Sequence, residues 1–505
     1  MSANNNSVGN TSNWKLPSPE DIICILKEED AYTILSLKQG QPDTDTDTDA
    51  EPLFTLSRSY WNLSNDDEND LQPQLDEFLI DGPPAHLQPG PRRHVHVLVS
   101  THSGTGLSEQ FYNNVLAPLL EELGLSASSE PAQNSSYHLL ITQDASSVKT
   151  FARELGEASY VTANESNGDT TVSETGTEHT IVLLSGDGGV VDMLNGYASA
   201  VDKTAALDPN TELPNLPLIA ILPLGTGNAL FSSLHKPIET PAAASDLVRG
   251  LRTLLRGKAA PLPSFQALFP TGSRTITYSE PPSPIHTSTG PGNSTGSAAE
   301  EQTQSINHLY GVVVASYGFH SQLVWESDTP EYRQHGAKRF HMVAAELLRE
   351  SHAYKATVEL DLSSTNTKDS STRRLDRDEH GYILATLVSN LEKTFCISPA
   401  SEPLDGQLRL VHFAPVDGLK TMAVMNAAYD GGKHVGMRLG EKEEEGGVGY
   451  EEINEIRITT HEEDSRWRKV CIDGTIVEIP AGGRMVVRTD TRRHLSVLVD
   501  RRVHL

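Results

Sequence analysis

One aspartate and three glycine-rich loops are the features of this 505-residue chain whose residue types and spacing could do chemistry. Asp187 stands in Ser185-Gly186-Asp187-Gly188-Gly189. Glycines on both sides let backbone come close to a ligand. The carboxylate between them can hold Mg2+ or accept a hydroxyl proton. A second loop, Ser103-Gly104-Thr105-Gly106, follows a β-branched run and precedes a helical pattern. Backbone N–H groups at such a turn, backed by a helix N-terminus, hold phosphate. The third loop is Pro223-Leu224-Gly225-Thr226-Gly227-Asn228. Neither a G-x-x-x-x-G-K-[ST] phosphate loop nor a G-x-G-x-x-G dinucleotide fingerprint is present, which disfavours two common nucleotide folds.

The elements that must position these loops alternate. His94–Ser100, Tyr137–Thr142, Thr180–Ser185 and Leu216–Leu222 read as short apolar strands. Leu107–Leu123, Ala145–Gly156 and Val190–Ala200 read as helices between them. Such alternation predicts a parallel sheet with helices on both faces, and the three loops then converge on its carboxyl edge. From about Phe265 onward the pattern changes to many short strands, interrupted by one helical stretch at Lys338–Ser351, which predicts an antiparallel sandwich or barrel-like sheet. The expected architecture is therefore α/β plus β. An acidic, partly disordered extension covers 1–90, an α/β domain carrying the three loops 91–240, and a β-rich domain 241–505. The ligand cleft lies between the last two.

Four segments rich in Ser, Thr, Gly, Asn or Pro read as loop insertions or disorder: Ser126–Ser136, Val161–Glu178, Thr271–Ser305 and Ser363–Asp378. Glu441–Gly447 is a shorter one.

The motifs together resemble a known group. Ser185–Gly196, with its Gly-Asp-Gly and closing Asn-Gly, and Leu222–Leu230, with Pro-Leu-Gly-Thr-Gly-Asn, are similar to the diacylglycerol kinase catalytic-domain superfamily. That group includes sphingosine kinases, ceramide kinases and soluble bacterial lipid kinases. Tyr317-Gly-Phe-His-Ser-Gln-Leu-Val-Trp-Glu-Ser327, followed by Glu331-Tyr-Arg333, resembles the sphingosine kinases most. Asp405-Gly406 and Asp473-Gly474 resemble two Asp-Gly motifs of the group's β domain. The resemblance covers roughly 92–500, less the insertions.

It implies ATP- and Mg2+-dependent phosphorylation of a lipid hydroxyl, with a sphingoid base as first acceptor and diacylglycerol or ceramide as alternatives. Ser103, Gly104, Thr105 and Gly106 would meet the ATP phosphates. Ser185, Gly186, Gly188 and Gly189 would form a second wall. Gly225, Thr226, Gly227 and Asn228 would approach the nucleotide, joined by Arg333 and Gly474. Asp187 and Asp473 would be catalytic, as base, as organiser of the reacting hydroxyl or in the Mg2+ network. Phe319, Gln322 and Val324 would line the acceptor site.

Some positions depart from the group's pattern. Ser100-Thr101 replaces Asn-Pro, Thr105 a basic residue, Gly189 a threonine, and Thr475 the Glu of Asp-Gly-Glu. Val324 stands where sphingosine kinases place the acid that reads the sphingoid head group. Two other readings share part of the pattern. An NAD kinase has the Gly-Asp-Gly motif but not the Tyr317–Arg333 segment. A catalytically impaired relative would bind lipid without transferring phosphate.

Charge narrows the partners. The chain has 40 Lys+Arg against 68 Asp+Glu, a net −28, which argues against a nucleic-acid partner. Seventeen acids and four bases fall within 1–90, so much of that charge lies outside the kinase-like region. Asp43–Asp49 and Asp66–Glu68 read as solvated chain, lacking the Gly and terminal Glu of a calcium loop. An ATP site here needs Mg2+ and a small local positive cleft. Membrane contact, if transient, must come from apolar contact or local arginines, either Arg249, Arg252 and Arg256 or the arginine-rich end. Both sets read first as solvated faces. Three cysteines, Cys24, Cys396 and Cys471, make no disulfide framework. With no signal peptide and no apolar run of spanning length, the expectation is a cytoplasmic protein that touches membrane at its periphery. His94 and His96 alternate on one strand face and read as ordinary strand histidines.

Overall fold

The computed structural model describes residues 17–27, 31–40, 52–62, 76–101, 104–128, 136–165, 176–207, 215–236, 244–278, 301–336, 338–362, 372–440 and 446–504. Ser103, Asp43–Asp49 and Asp66–Glu68 lie outside the described residues, as do 166–175 and 441–445.

A seven-stranded sheet carries the glycine loops. Its order is Ser126–Ser128, Ser136–Ile141, Arg93–Val99, Glu178–Ser185, Leu218–Pro223, Ser496–Val499, Lys258–Pro261. All neighbours run parallel except the last pair. Val182, Leu183, Leu184 and Leu222 are fully buried, as an apolar strand covered on both faces requires. One face packs on helix 108–122, which contains one π-helical turn, and on helix Asp246–Arg256. The other packs on helices Ser147–Glu165 and Asp187–Leu207. Those two helices lie close together because Gly196 faces Lys149 and Ala152, where a Cβ would stand 2.4 Å from the Lys149 carbonyl.

The second sheet has 14 strands, and every pair in it is antiparallel. The α/β plus β architecture is thus present. The apolar residues between the two sheets form one continuous core.

Three expectations are corrected. The boundary near 240 does not separate the sheets: Lys258–Pro261 and Ser496–Val499 return to the parallel sheet, where Leu498 and Val499 find an apolar edge to cover. The insertion read across 271–305 contains a hairpin, Arg274–Tyr278 paired with Glu301–Ser305, whose first strand also pairs with Thr475–Glu478. Ser126–Ser128 and Thr372–Arg374 are likewise short edge strands within segments read as insertions.

Residues 1–90 also hold more order than their charge suggests. Ile22–Lys27, Ala31–Gln39, Phe54–Asn62 and Leu79–Ile80 form a four-stranded sheet. Ile23, Cys24, Leu35 and Leu37 pack with Phe111, Leu119, Val248 and Leu251 of the adjoining helices. Arg252, read as part of a solvated face, donates from Nε to the Ile22 carbonyl (2.8 Å) and lies 4.7 Å from the Phe78 ring. All three cysteines are buried and free, and burial pushes the Cys24 and Cys471 thiols up to about 12. No helix among the described residues is long and apolar enough to cross a membrane.

Candidate functional site

The three loops meet at the carboxyl edge of the parallel sheet. Gly186 and Gly225 touch so closely that a Cβ on Gly225 would lie 2.3 Å from the Gly186 Cα. Gly104, at φ +24°, faces the same loop; its Cβ would lie 2.5 Å from the Thr226 N. Glycine is required here because backbone meets backbone. Thr105 donates from Oγ1 to the Leu224 carbonyl (2.8 Å), tying the second loop to the third. Asn228 holds the third loop's shape. It sits in the left-handed region at φ +50°, accepts from the Gly225 N–H (3.0 Å) and donates to the Gly225 carbonyl (2.9 Å). Ser185 is buried against Gly189, while Thr226 and Gly188 are exposed.

Asp187 lies at the head of its helix and reaches across to the next one. Its carboxylate accepts from the N–H groups of Ala229 (2.7 Å) and Leu230 (3.0 Å), capping helix Ala229–His235. Burial raises its pKa above the usual carboxylate range despite those amides.

Asp473 comes from the other sheet. Asp473 and Gly474 form the two-residue turn between Lys469–Ile472 and Thr475–Glu478, both with positive φ (46° and 88°). The Asp473 carboxylate accepts from three consecutive amides, Val312 (2.6 Å), Val313 (3.1 Å) and Val314. This explains a strand break. The sequence predicts one strand over Tyr310–Ser316, but the structure has two, His308–Gly311 and Val314–Gly318. Val312 and Val313 give their N–H groups to Asp473 instead of to a ladder.

The two carboxylates feel each other. Burial, then the neighbouring Asp187 charge, raise Asp473 to about 7, against the lowering effect of its three amides. Two acids whose charges conflict in one place attract a proton or a divalent cation.

An apolar cleft opens beside them. Leu230 and Leu234 line it from the Asp187-capped helix, and Val312, Leu387 and Leu404 from segments that connect strands of the second sheet. The halves are fastened on each side. Ser233 and Asn390 exchange hydrogen bonds (3.0 and 3.2 Å). Asn195, in the Asn-Gly at the end of the second motif, accepts from the Tyr310 N–H and donates to its carbonyl, both at 2.9 Å. Sequence reasoning quoted Asn195 without giving it this role.

The remaining predicted residues sit further along the second sheet. Phe319 and Gln322 are buried on helix Phe319–Ser327, which continues the strand that starts at Val314. Gln322 donates to Glu326 (2.6 Å), and Arg466 pairs with Glu326 (2.9 Å). Val324 packs on the cluster of Ile276, Cys471 and Ile476. Arg333, expected at phosphate, forms a bidentate pair with Asp328 (3.0 and 2.7 Å). Asp405 is bound to the buried Arg409 (2.7 Å), a structural pair. The terminal arginines are dispersed: Arg484 pairs with Glu359, Arg492 with Asp202 and Arg502 with Asp500.

Comparison with known proteins falls on the same region. Residues 94–256 match the diacylglycerol kinase catalytic domain. Human sphingosine kinase 2 is 30% identical over 195 residues, which span 38% of this chain and 24% of that protein. A diacylglycerol kinase structure from Bacillus anthracis str. Sterne aligns over 81% of this chain and 98% of its own, with 13% identity and a TM-score of 0.41. A second structure from that organism aligns over the same shares, with 14% identity and a TM-score of 0.45. The domain match agrees with the resemblance carried by the motifs, and it contains all three glycine loops.

Proposed function

We propose that this chain is an ATP- and Mg2+-dependent lipid kinase that phosphorylates the hydroxyl of a sphingoid base. The observation that carries the reading is the joining of three glycine loops at one sheet edge, with the Asp187 and Asp473 carboxylates each fixed on backbone amides beside an apolar cleft.

Each part fits a task. The loops expose Gly188 and Thr226 where ATP phosphates would lie. Two raised carboxylates suit a divalent cation, held between Asp187 and Asp473. Bound Mg2+ would neutralise charge on the transferred phosphoryl group. Asp187 then orients the acceptor hydroxyl and takes its proton, while Asp473 keeps the opposite wall fixed through Val312–Val314. Phosphoryl transfer needs mainly positioning and neutralisation, so a strong base is not required.

The acceptor reaches this point through the apolar cleft, past helix Phe319–Ser327. Its approach is from a membrane surface. Leu419 is 85% exposed and Met422 43%, on a helix packed against the one that exposes Met342 at 39%. Lys420 and Lys338 lie beside them in sequence. An apolar tip with flanking lysines engages lipid despite the overall negative charge.

A neutral alcohol is the second reading. Val324 stands in an apolar cluster, and Glu326 is already paired with Arg466, so no free acid on this helix faces a sphingoid amine. Radiolabelled ATP offered with a sphingoid base, ceramide and diacylglycerol separates the readings. Label on the base supports the first, and label on ceramide or diacylglycerol alone the second. Label on none overturns both.

A further inference from the structure

We propose that His94, His96 and His179 form a binding site for one borderline-soft divalent metal ion, zinc by ligand type, on the parallel sheet and away from the glycine loops. Strand register builds the cluster. In the parallel pairing His94 lies opposite His179, and His96 opposite His138. Residues two apart on a strand share a face, and so do register partners. Leu98 and Ile181, in phase with these histidines, pack on the side of helices Ser147–Glu165 and Asp187–Leu207. Four imidazoles therefore stand on that one face, His94 and His96 on the central strand with His179 on one side of it and His138 on the other.

The donor atoms are already near ligand spacing. Those of His94, His96 and His179 all lie within 4.8 Å of one another. His96 Nε2 and His179 Nδ1 are 3.2 Å apart. A tetrahedral zinc with nitrogen bonds of about 2.0–2.1 Å sets its ligands about 3.4 Å apart. Small ring rotations close the remaining gap. The Nδ1 atoms of His96 and His138 are buried and have no hydrogen-bond partner. Buried ring nitrogens ordinarily find one.

The surroundings suit an ion that enters from one side. Phe151 covers His96 at 5.1 Å, whereas His94 and His179 are half-buried and give access. Arg93 and Glu178 beside them are paired with each other and leave the ligand set to imidazole. Imidazole favours zinc, copper or nickel over Mg2+ or Ca2+. The fourth position falls to water or His138. His179 lies near the start of its strand and Ser185 at its end, which puts the cluster about 20 Å from the Asp187 loop. The ion would bind the strands Arg93–Val99 and Glu178–Ser185 together at the edge away from the carboxylates.

The test uses the full chain without a histidine tag, stripped by chelator and titrated with Co2+ and Zn2+. The expected result is one Co2+ per chain with a tetrahedral visible band, displaced by Zn2+, and a rise in unfolding temperature with micromolar Zn2+ that Mg2+ does not give. His94→Gln with His179→Gln should weaken this ion by at least the 10–100-fold typical of losing a supporting contact. Asp187→Asn should leave it unchanged. His94→Gln alone, at the half-buried ligand, serves if the double variant does not fold. Three outcomes would overturn the proposal: no Co2+ bound by the wild type, equal binding in the histidine variants, or loss of the ion in Asp187→Asn.

Discussion

Asp187 and Asp473 come from different sheets, each held by backbone amides of its own half, and the Asp187 charge acts on the Asp473 carboxylate. Asp187 caps Ala229–His235, and Asp473 fills the turn of amides at Val312–Val314. Neither carboxylate can swing away without orphaning those N–H groups. The pair is therefore a fixed point between two domains, and the expected behaviour follows from it.

Asp473 should make stability depend on pH. Its folded pKa of about 7 lies above the ordinary carboxyl value of 3.8. The folded state thus holds the proton more tightly than the unfolded state. The native state is least penalised below pH 4 and loses stability as pH rises through 7. Unfolding temperatures without Mg2+ should fall between pH 5 and 8 more steeply for wild type than for Asp473→Asn. Equal slopes would remove the coupled-carboxylate account.

Gly225→Ala should separate the loops. The new Cβ would stand 2.3 Å from the Gly186 Cα, backbone that cannot yield. ATP affinity should drop at least about tenfold, equivalent to 1.4 kcal/mol, measured by titration calorimetry. Gly188→Ala has open space at its Cβ and should keep the fold.

Asn195→Ala should loosen the joint between the sheets. It leaves the Tyr310 N–H and carbonyl without partners, at about 1–3 kcal/mol for each buried orphan. Denaturant unfolding should show the loss. Asn195→Asp should be worse than an isosteric change, because it keeps the acceptor, removes the donor and adds a charge. A wild-type midpoint for either variant would contradict the role assigned to Asn195.

Leu419→Glu should reduce binding to anionic vesicles and activity on vesicle-borne lipid. Activity on the same lipid in detergent micelles should be retained, since Leu419 lies 85% exposed on the helix surface. Equal losses in both assays would point to a folding defect instead.

The parallel half was legible in the sequence because its signals are local. Apolar strands end directly in their glycine loops, and Thr180–Ser185 reads as a buried strand from its own residues. Relations across the chain were not local. Asp473 could be named only through resemblance, and nothing in its neighbourhood showed that Val312–Val314 would abandon a ladder to bind it. Ser496–Val499 looks like any other strand of the β half, yet its Leu498 and Val499 bury against the parallel sheet. The N-terminal strands were hidden among acidic runs, although Ile22–Leu26 and Thr33–Leu37 are apolar enough to have signalled them. Arg333 was matched by motif alone, and its pairing with Asp328 depends on a turn that spacing does not reveal. The histidines were legible only as alternation. Their convergence needed the register of three strands.

The most direct measurement is transfer of radiolabelled phosphate from ATP to a lipid panel by wild type, Asp187→Asn and Asp473→Asn, with Mg·ATP thermal shifts measured in parallel. The account predicts label on one lipid alcohol with wild type. It predicts a fall of about 10²-fold or more with Asp187→Asn, and a smaller Mg·ATP shift in both aspartate variants than in wild type. Wild-type transfer by Asp187→Asn would contradict the catalytic assignment, and no transfer by wild type to any lipid would contradict the kinase reading itself.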